Sequence, residues 1–275
     1  MKGIERLEEI IVNGTKLQRS AAAYQLYWNI RDGKGASADK RRSMKYLRVA
    51  AENGSVDAMY QMGWHYGTGT FVGKNIVKAI DWYRKAADKG DAWAQVDLGQ
   101  IYLDGERGVD KDYIQAVRLF RKAARKSDEL AFYDLGLCYD LGKGVRQSDR
   151  LACKFYSKAA LCGHVAAMCN LGAILANYDG SQRDGILWTR RAALRGDDKA
   201  QHNLGEWYAN GECGLKKNRR LALKWLKMSA GNGNKKAAKS LARLTALQLK
   251  APTHKSCQSC KSCLKQKRDL HDEEK

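Results

Sequence analysis

The chain has 275 residues, 44% of them hydrophobic, enough for one large or two ordinary domains with a real core. Fifty basic against 30 acidic side chains leave a net charge of +20, a balance that suits anionic partners and solubility but says nothing about fold. The first twenty residues, MKGIERLEEIIVNGTKLQRS, contain no apolar run of signal-peptide length. No later stretch approaches the roughly 18 apolar residues of a membrane span. The expectation is a soluble, cytoplasmic protein whose eight cysteines are reduced thiols.

A single proline beside 26 glycines predicts long helices separated by glycine turns. Residues 1–21 read as an N-terminal capping helix. From residue 22 a small-x-x-x-Leu/Met-Gly word returns along the chain: AMYQMG at 58–63, AQVDLG at 94–99, AFYDLG at 131–136, AMCNLG at 167–172 and AQHNLG at 200–205. Weaker copies are AAYQLY at 22–27 and AAKSLA at 237–242. The Leu or Met falls at 26, 62, 98, 135, 171, 204 and 241. A second column (Tyr46, Trp82, Leu119, Phe155, Trp188, Trp225) keeps the same steps, and a small pair such as Ala86-Ala87 begins four residues after each. Two columns in step define a helical repeat array. Its units are 22–57, 58–93, 94–130, 131–166, 167–199 and 200–236, with a half repeat at 237–250.

Each unit reads as a helix A, a glycine loop, a helix B and a glycine stop. In helix A the Ala, the Leu and an aromatic (Tyr66, Tyr102, Tyr139, Tyr208) form an i, i+4, i+8 stripe. In helix B the bulky column and the small pair share a face. Gly90, Gly163, Gly196 and Gly233 suit left-handed helix ends, and Ser127 stands where a fifth such glycine is expected. Gly99, in mid-helix, costs about 1 kcal/mol against alanine. Its recurrence predicts that a neighbouring helix comes close to the backbone there.

LGQIYLDGERGVDKDYIQAVRLFRKAA at 98–124 and LGLCYDLGKGVRQSDRLACKFYSKAALCG at 135–163 carry an L-G-x-x-Y-x-x-G-x-G-V run, with one extra residue in the first. Over residues 22–250 the chain resembles the Sel-one-like repeat (SLR) family, relatives of tetratricopeptide repeats. The resemblance implies an all-α fold, a right-handed alpha-alpha superhelix of about six stacked helix pairs plus terminal capping helices. It also implies a non-enzymatic scaffold or adaptor. Some members are secreted and staple each repeat with a disulfide; Cys162 and Cys169 lie near those positions but are shifted. The 167–199 copy lacks three loop residues, and the 22–57 copy lacks the glycine after Leu26. Since each repeat buries its apolar face against its neighbours, an elongated monomer is expected.

GTGTFVGKN at 67–75 misses the spacing of a phosphate-binding loop and has Asn75 where that loop needs a hydroxyl. The histidines are scattered, and neither HExxH nor GxSxG occurs. No catalytic, metal or cofactor site is assigned. The tail 251–275 places His254, Cys257, Cys260 and Cys263 three residues apart. That spacing fits half a zinc site, part of an iron–sulfur run, or palmitoylated cysteines among lysines, and is read as a reduced, unstructured tail.

Two functional readings remain. The first is a protein partner held on the concave face, lined by the residues one before each Leu and two and six after it. These are Gln25, Trp28 and Asp32; Gln61, Trp64 and Thr68; Asp97, Gln100 and Asp104; Asp134, Leu137 and Leu141. Trp28 and Trp64 serve equally well as inter-repeat packing. The alternative rests on charge. Residues 57–198 hold 21 basic and 18 acidic side chains, whereas 213–268 hold 16 basic and no acidic ones. Lys216, Lys217, Arg219, Arg220, Lys224, Lys235, Lys236, Lys239 and Arg243 would then contact nucleic acid or another anionic surface.

Overall fold

The computed structural model describes residues 2–33, 39–106 and 108–250. These residues form fourteen α-helices and no strand; one isolated bridge joins Glu106 to Val109 in a loop. Helix α1 (Lys2–Asn13) precedes the repeats. The helices A are α2 (Lys16–Arg31), α4 (Val56–Thr68), α6 (Ala92–Asp104), α8 (Glu129–Leu141), α10 (Val165–Ala176), α12 (Asp198–Asn210) and α14 (Lys235–Lys250). The helices B are α3 (Lys40–Glu52), α5 (Ile76–Asp88), α7 (Tyr113–Ala124), α9 (Asp149–Leu161), α11 (Gln182–Leu194) and α13 (Arg219–Gly231). A single cap over 1–21 is therefore not what forms. Thr15 and Gln18 make a capping box that starts α2 at Lys16, inside the span expected for the cap. The Cys-containing tail lies outside the described residues. The helices group into two compact units, α1–α10 and α11–α14, divided at the A–B loop that is three residues short.

The corners between repeats follow one plan. The residue after each helix B turn has positive φ: 104° at Gly54, 87° at Gly90, 104° at Gly163, 93° at Gly196 and 89° at Gly233. The following residue caps the next helix A. Ser55, Asp91, Asp128, His164, Asp197 and Asn234 each accept the N–H of a residue three further on, an alanine every time. The first Ala of the repeated word is thus a helix-start position as well as a core residue. Ser127 adopts the glycine conformation, with φ 60°.

The core differs from expectation in its deepest column. The residues of the second column are mostly half-buried: Tyr46, Trp82, Phe155 and Trp188 are partly exposed. The residue after each is buried instead, namely Leu47, Tyr83, Phe120, Tyr156, Thr189 and Leu226. These side chains explain the mid-helix glycines. A Cβ on Gly99 would lie 2.5 Å from Cε1 of Phe120. On Gly63 it would lie 2.6 Å from the ring of Tyr83, on Gly136 2.5 Å from Tyr156, and on Gly205 2.6 Å from Cγ of Leu226. At Gly99, Gly63 and Gly136 the close approach is made by an aromatic side chain lying on the glycine, not by the neighbouring backbone. Only at Gly205 does the partner backbone also come near, with the Leu226 nitrogen at 3.3 Å. The first repeat departs from this, with Tyr27 in the glycine position and Leu47 in the aromatic one. Tyr27 is fully buried, and its hydroxyl donates to Nε2 of His65 at 2.9 Å. Nδ1 of His65 lies 2.8 Å from the Thr70 carbonyl, which calls for the Nδ1–H tautomer; burial lowers the His65 pKa, so the ring stays neutral.

Successive repeats are also tied by a ladder of bonds between an arginine and the tyrosine 18 residues further on. In the first unit, Nη2 of Arg48, Arg84 and Arg121 donates to the hydroxyls of Tyr66, Tyr102 and Tyr139 at 3.2, 3.2 and 2.9 Å. In the second unit Arg190 does the same to Tyr208 at 2.9 Å. The aromatic that ends the helix A stripe is therefore both core and hydrogen-bond acceptor.

Two stability measurements follow. Gly99→Ala should destabilise the chain by about 1–3 kcal/mol despite alanine's better helix propensity. Most of that loss should vanish in a Phe120→Ala background, read as coupling in a double-mutant cycle of urea midpoints. Ser127→Gly should stabilise by about 1 kcal/mol, because a non-glycine residue is strained at positive φ; an unchanged midpoint would show that Ser127 bears no such strain.

Candidate partner-binding face

Helices A of the first unit present their unburied residues in helical register. On α4 these are Tyr60, Trp64 and Thr68; on α6, Trp93, Asp97, Gln100 and Asp104; on α8, Leu130, Leu137 and Leu141. Trp64 is 37% exposed and Trp93 63%, and Leu130 and Leu141 are also open to solvent.

The expected concave-face residues do not behave alike. Gln25, Trp64, Thr68, Asp104 and Leu141 are exposed; Asp32 is exposed and salt-bridged to Arg31 at 2.7 Å. Gln61, Asp97 and Gln100 are half-buried. Trp28 is held within its own helix: its ring lies edge-on to Tyr24 and Tyr27, and the Arg31 guanidinium sits 3.8 Å above it. Leu137 packs against the Leu103, Phe120 and Leu135 cluster. Asp134 is 4% exposed and accepts a hydrogen bond from Nε2 of Gln100 at 3.1 Å. Trp28, Leu137 and Asp134 are therefore packing residues of this face. Trp93, Tyr60 and Leu130 were not anticipated, although Trp93 and Leu130 stand four residues before Asp97 and Asp134 and so share their face.

Asp97 lies beside the phenols of Tyr83 and Tyr60, while Tyr60 also meets Tyr83 and Trp93 with ring centroids 5.8 Å away in both cases. Burial raises the Asp97 pKa, and the two phenols partly offset that rise. Asp97, Gln100, Asp104, Glu106 and Tyr83 line a hollow of about 250 Å³. Two repeats later Tyr156 donates to Asp140 at 3.1 Å and accepts from Asn170 at 3.2 Å. Between these two repeats the aromatic is Phe120, which has no hydroxyl to offer. Asp134, the counterpart of Asp97, is pushed up to about 7 by burial, with Gln100 working against the rise and Asp104, Asp128 and Asp97 adding to it.

At the basic end the cations divide. Arg219 donates to the Leu244 carbonyl, and Arg243 pairs with Glu206 at 2.8 Å, so both brace the second unit. Lys216, Lys217, Arg220, Lys224, Lys235, Lys236 and Lys239 are exposed. Among the described residues no group of three or more His, Cys, Asp or Glu could hold a metal ion, and no helix is long and apolar enough to cross a membrane.

The Sel1 repeat family model matches residues 20–55, 56–91, 94–128, 131–164, 165–197 and 198–234. The chain belongs to the Sel1 repeat family. A crystal structure of a protective antigen from uropathogenic Escherichia coli with an SLR fold superposes with a TM-score of 0.77 at 29% identity, covering 90% of this chain and 52% of that one. A Sel1 repeat protein from Oxalobacter formigenes gives a TM-score of 0.66 at 28% identity, over 83% of this chain and 99% of that one. The chitin synthase regulator SKT5 of Saccharomyces cerevisiae is 36% identical over 110 residues, 38% of this chain and 16% of the regulator. The chain thus spans about half the length of the antigen and matches a small part of the regulator. Sel1 repeat proteins are typically non-catalytic and generally mediate protein–protein interaction.

Asp134 supplies a pH test. The folded chain keeps this proton up to about pH 7, whereas an unfolded aspartate releases it near 3.9. Between those values the folded state binds more protons, so the contribution of Asp134 makes stability fall as pH rises through the window. Asp134→Asn keeps an oxygen for Gln100 and removes the titration. Urea midpoints should show the variant about 1–3 kcal/mol more stable at pH 8, with the gain shrinking toward pH 4.

Proposed function

We propose that the chain is a non-enzymatic scaffold that holds a partner protein against the helix-A face of its first unit. The observation that carries this reading is the pair of exposed tryptophans, Trp64 and Trp93, on α4 and α6, two helices that also line a hollow walled by Asp97, Asp104 and Glu106. Tryptophan is the side chain that most often dominates protein interfaces, because a large rigid surface leaves water at small entropic cost. The carboxylates around the hollow select a partner segment that offers lysine or arginine among apolar residues. The fold supports the reading, since stacked repeats present many side chains on one continuous surface without a catalytic centre.

A second reading places nucleic acid or another anionic surface on the exposed cations of α13, α14 and the loop before α13. Ten exposed lysines and arginines, two of them (Arg219 and Arg243) engaged within the unit, with no acid among residues 213–250 favour it. Recovery of partners from lysate, with and without nuclease, separates the two. The scaffold predicts a discrete protein recovered equally in both, reduced at least about tenfold by Trp64→Ala with Trp93→Ala and unchanged by Lys216→Glu with Lys217→Glu. Loss of every partner on nuclease treatment would overturn it in favour of the second reading.

A further inference from the structure

The near-neutral stretch 57–198 conceals a separation of charge that the helices impose. In the first unit, helices α4, α6, α8 and α10 carry six acidic side chains and no lysine or arginine. Helices α5, α7 and α9 carry nine basic and three acidic ones; just before this stretch α3 adds five basic and one acidic, while α2 carries Lys16, Arg19 and Arg31 and no acid. The basic residues stand on the sides of the helices B turned away from the core, since the buried positions of α5 and α7 are Ala79, Ile80, Tyr83, Ala116, Val117 and Phe120 with their neighbours. In register, successive helices show Arg41, Lys45 and Arg48, then Val77, Asp81 and Arg84, then Ile114, Arg118 and Arg121, then Arg150 and Lys154.

Three further features belong to this face. Val77 and Ile114, one repeat apart, are 58% and 72% exposed among the cations. Between α5 and α7 lies a hollow of about 370 Å³ lined by Arg84, Arg118, Lys122 and Tyr102, together with Asp88 and Asp112. Arg84 is steadied there by its bond to Tyr102, and the Asp112 carboxylate is already engaged by the Gln115 N–H at 2.9 Å. The Trp82 indole on the same helices is covered by Nζ of Lys85 at 4.2 Å.

We propose that this helix-B face of the first unit docks onto an anionic phospholipid surface. The cations meet the headgroup phosphates, the hollow between α5 and α7 accepts one headgroup, and Val77 and Ile114 enter the boundary of the acyl chains. A nucleic acid would use the cations equally, but it would gain nothing from exposed valine and isoleucine, and it would find the indole of Trp82 already covered. The proposal concerns the face opposite the partner-binding one and stands independently of it.

The test uses the full chain and vesicles of phosphatidylcholine alone or with about one-third phosphatidylserine, where each cation near the surface is worth about fivefold in affinity. Sedimentation with the serine-containing vesicles only is expected. Arg118→Glu, Lys122→Glu, Arg150→Glu and Lys154→Glu together should weaken binding by about 100-fold or more. A variant with the same change in charge at Lys224, Lys235, Lys236 and Lys239 should keep most of it. Ile114→Ser, which leaves the charge intact, should weaken vesicle binding several-fold without altering binding to duplex DNA. Helical circular dichroism confirms that each variant is folded. Equal sedimentation with both vesicle types, or equal losses in the two charge variants, would overturn the proposal. So would indifference of vesicle binding to Ile114→Ser.

Discussion

The seating of a helix-B side chain on a bare helix-A glycine sets the spacing within the repeats. Tyr83, Phe120, Tyr156 and Leu226 each occupy the space a Cβ would take on Gly63, Gly99, Gly136 or Gly205. The glycine loses helix propensity, and the buried side chain more than offsets that loss by removing a large apolar surface from water. In the first repeat Tyr27 and Leu47 stand in these positions, and both are fully buried, so the close-packed interior is kept there without a glycine.

That packing also decides what the surfaces can be. Once one side of helix B is committed to the glycine and the alanine pair, its cations are left on the other side. On helices A, Asp97 and Asp140 lie beside Tyr83 and Tyr156, the phenols seated on Gly63 and Gly136. Asp97, Asp134 and Asn170 occupy equivalent places, yet their surroundings differ through the neighbouring aromatic: Tyr83 interacts with Asp97, Tyr156 accepts from Asn170, and Phe120 has no hydroxyl. A single oxygen on a neighbouring ring thus contributes to the electrostatic character of the partner face. The same unit repeated six times can in this way carry six different local chemistries on one frame.

The Arg–Tyr ladder joins these two roles. Arg48, Arg84 and Arg121 project from helices B yet reach the tyrosine that ends the next helix A stripe. Each tyrosine is positioned by core packing, and each arginine is steadied at the margin of the basic face. Surface bonds of this kind add little stability singly. Their effect is to hold successive cations at the interval of one repeat, so the charge of the face is ordered rather than diffuse.

The sequence alone determined the repeat, its period, the two-helix unit and the glycine stops, because each depends on residues near one another along the chain. The left-handed corners at Gly90 and Gly233 and the alanine at each helix start are local conformational demands, and local demands leave regular spacings. It also placed Trp64, Asp97 and Gln100 on one face, since helical register is enough for that. Only the tertiary structure decided that Phe120, not Leu119, reaches Gly99, because which of two side chains about 100° apart faces inward depends on how helix B lies against helix A. It decided likewise that Trp28, Leu137 and Asp134 serve packing while Trp93 stands open. The charge count along residues 57–198 is nearly balanced, and only folding sorts it, by carrying helices A and helices B to opposite faces. Separation along the chain and separation in space are different quantities, and the second exists only after the helices have packed.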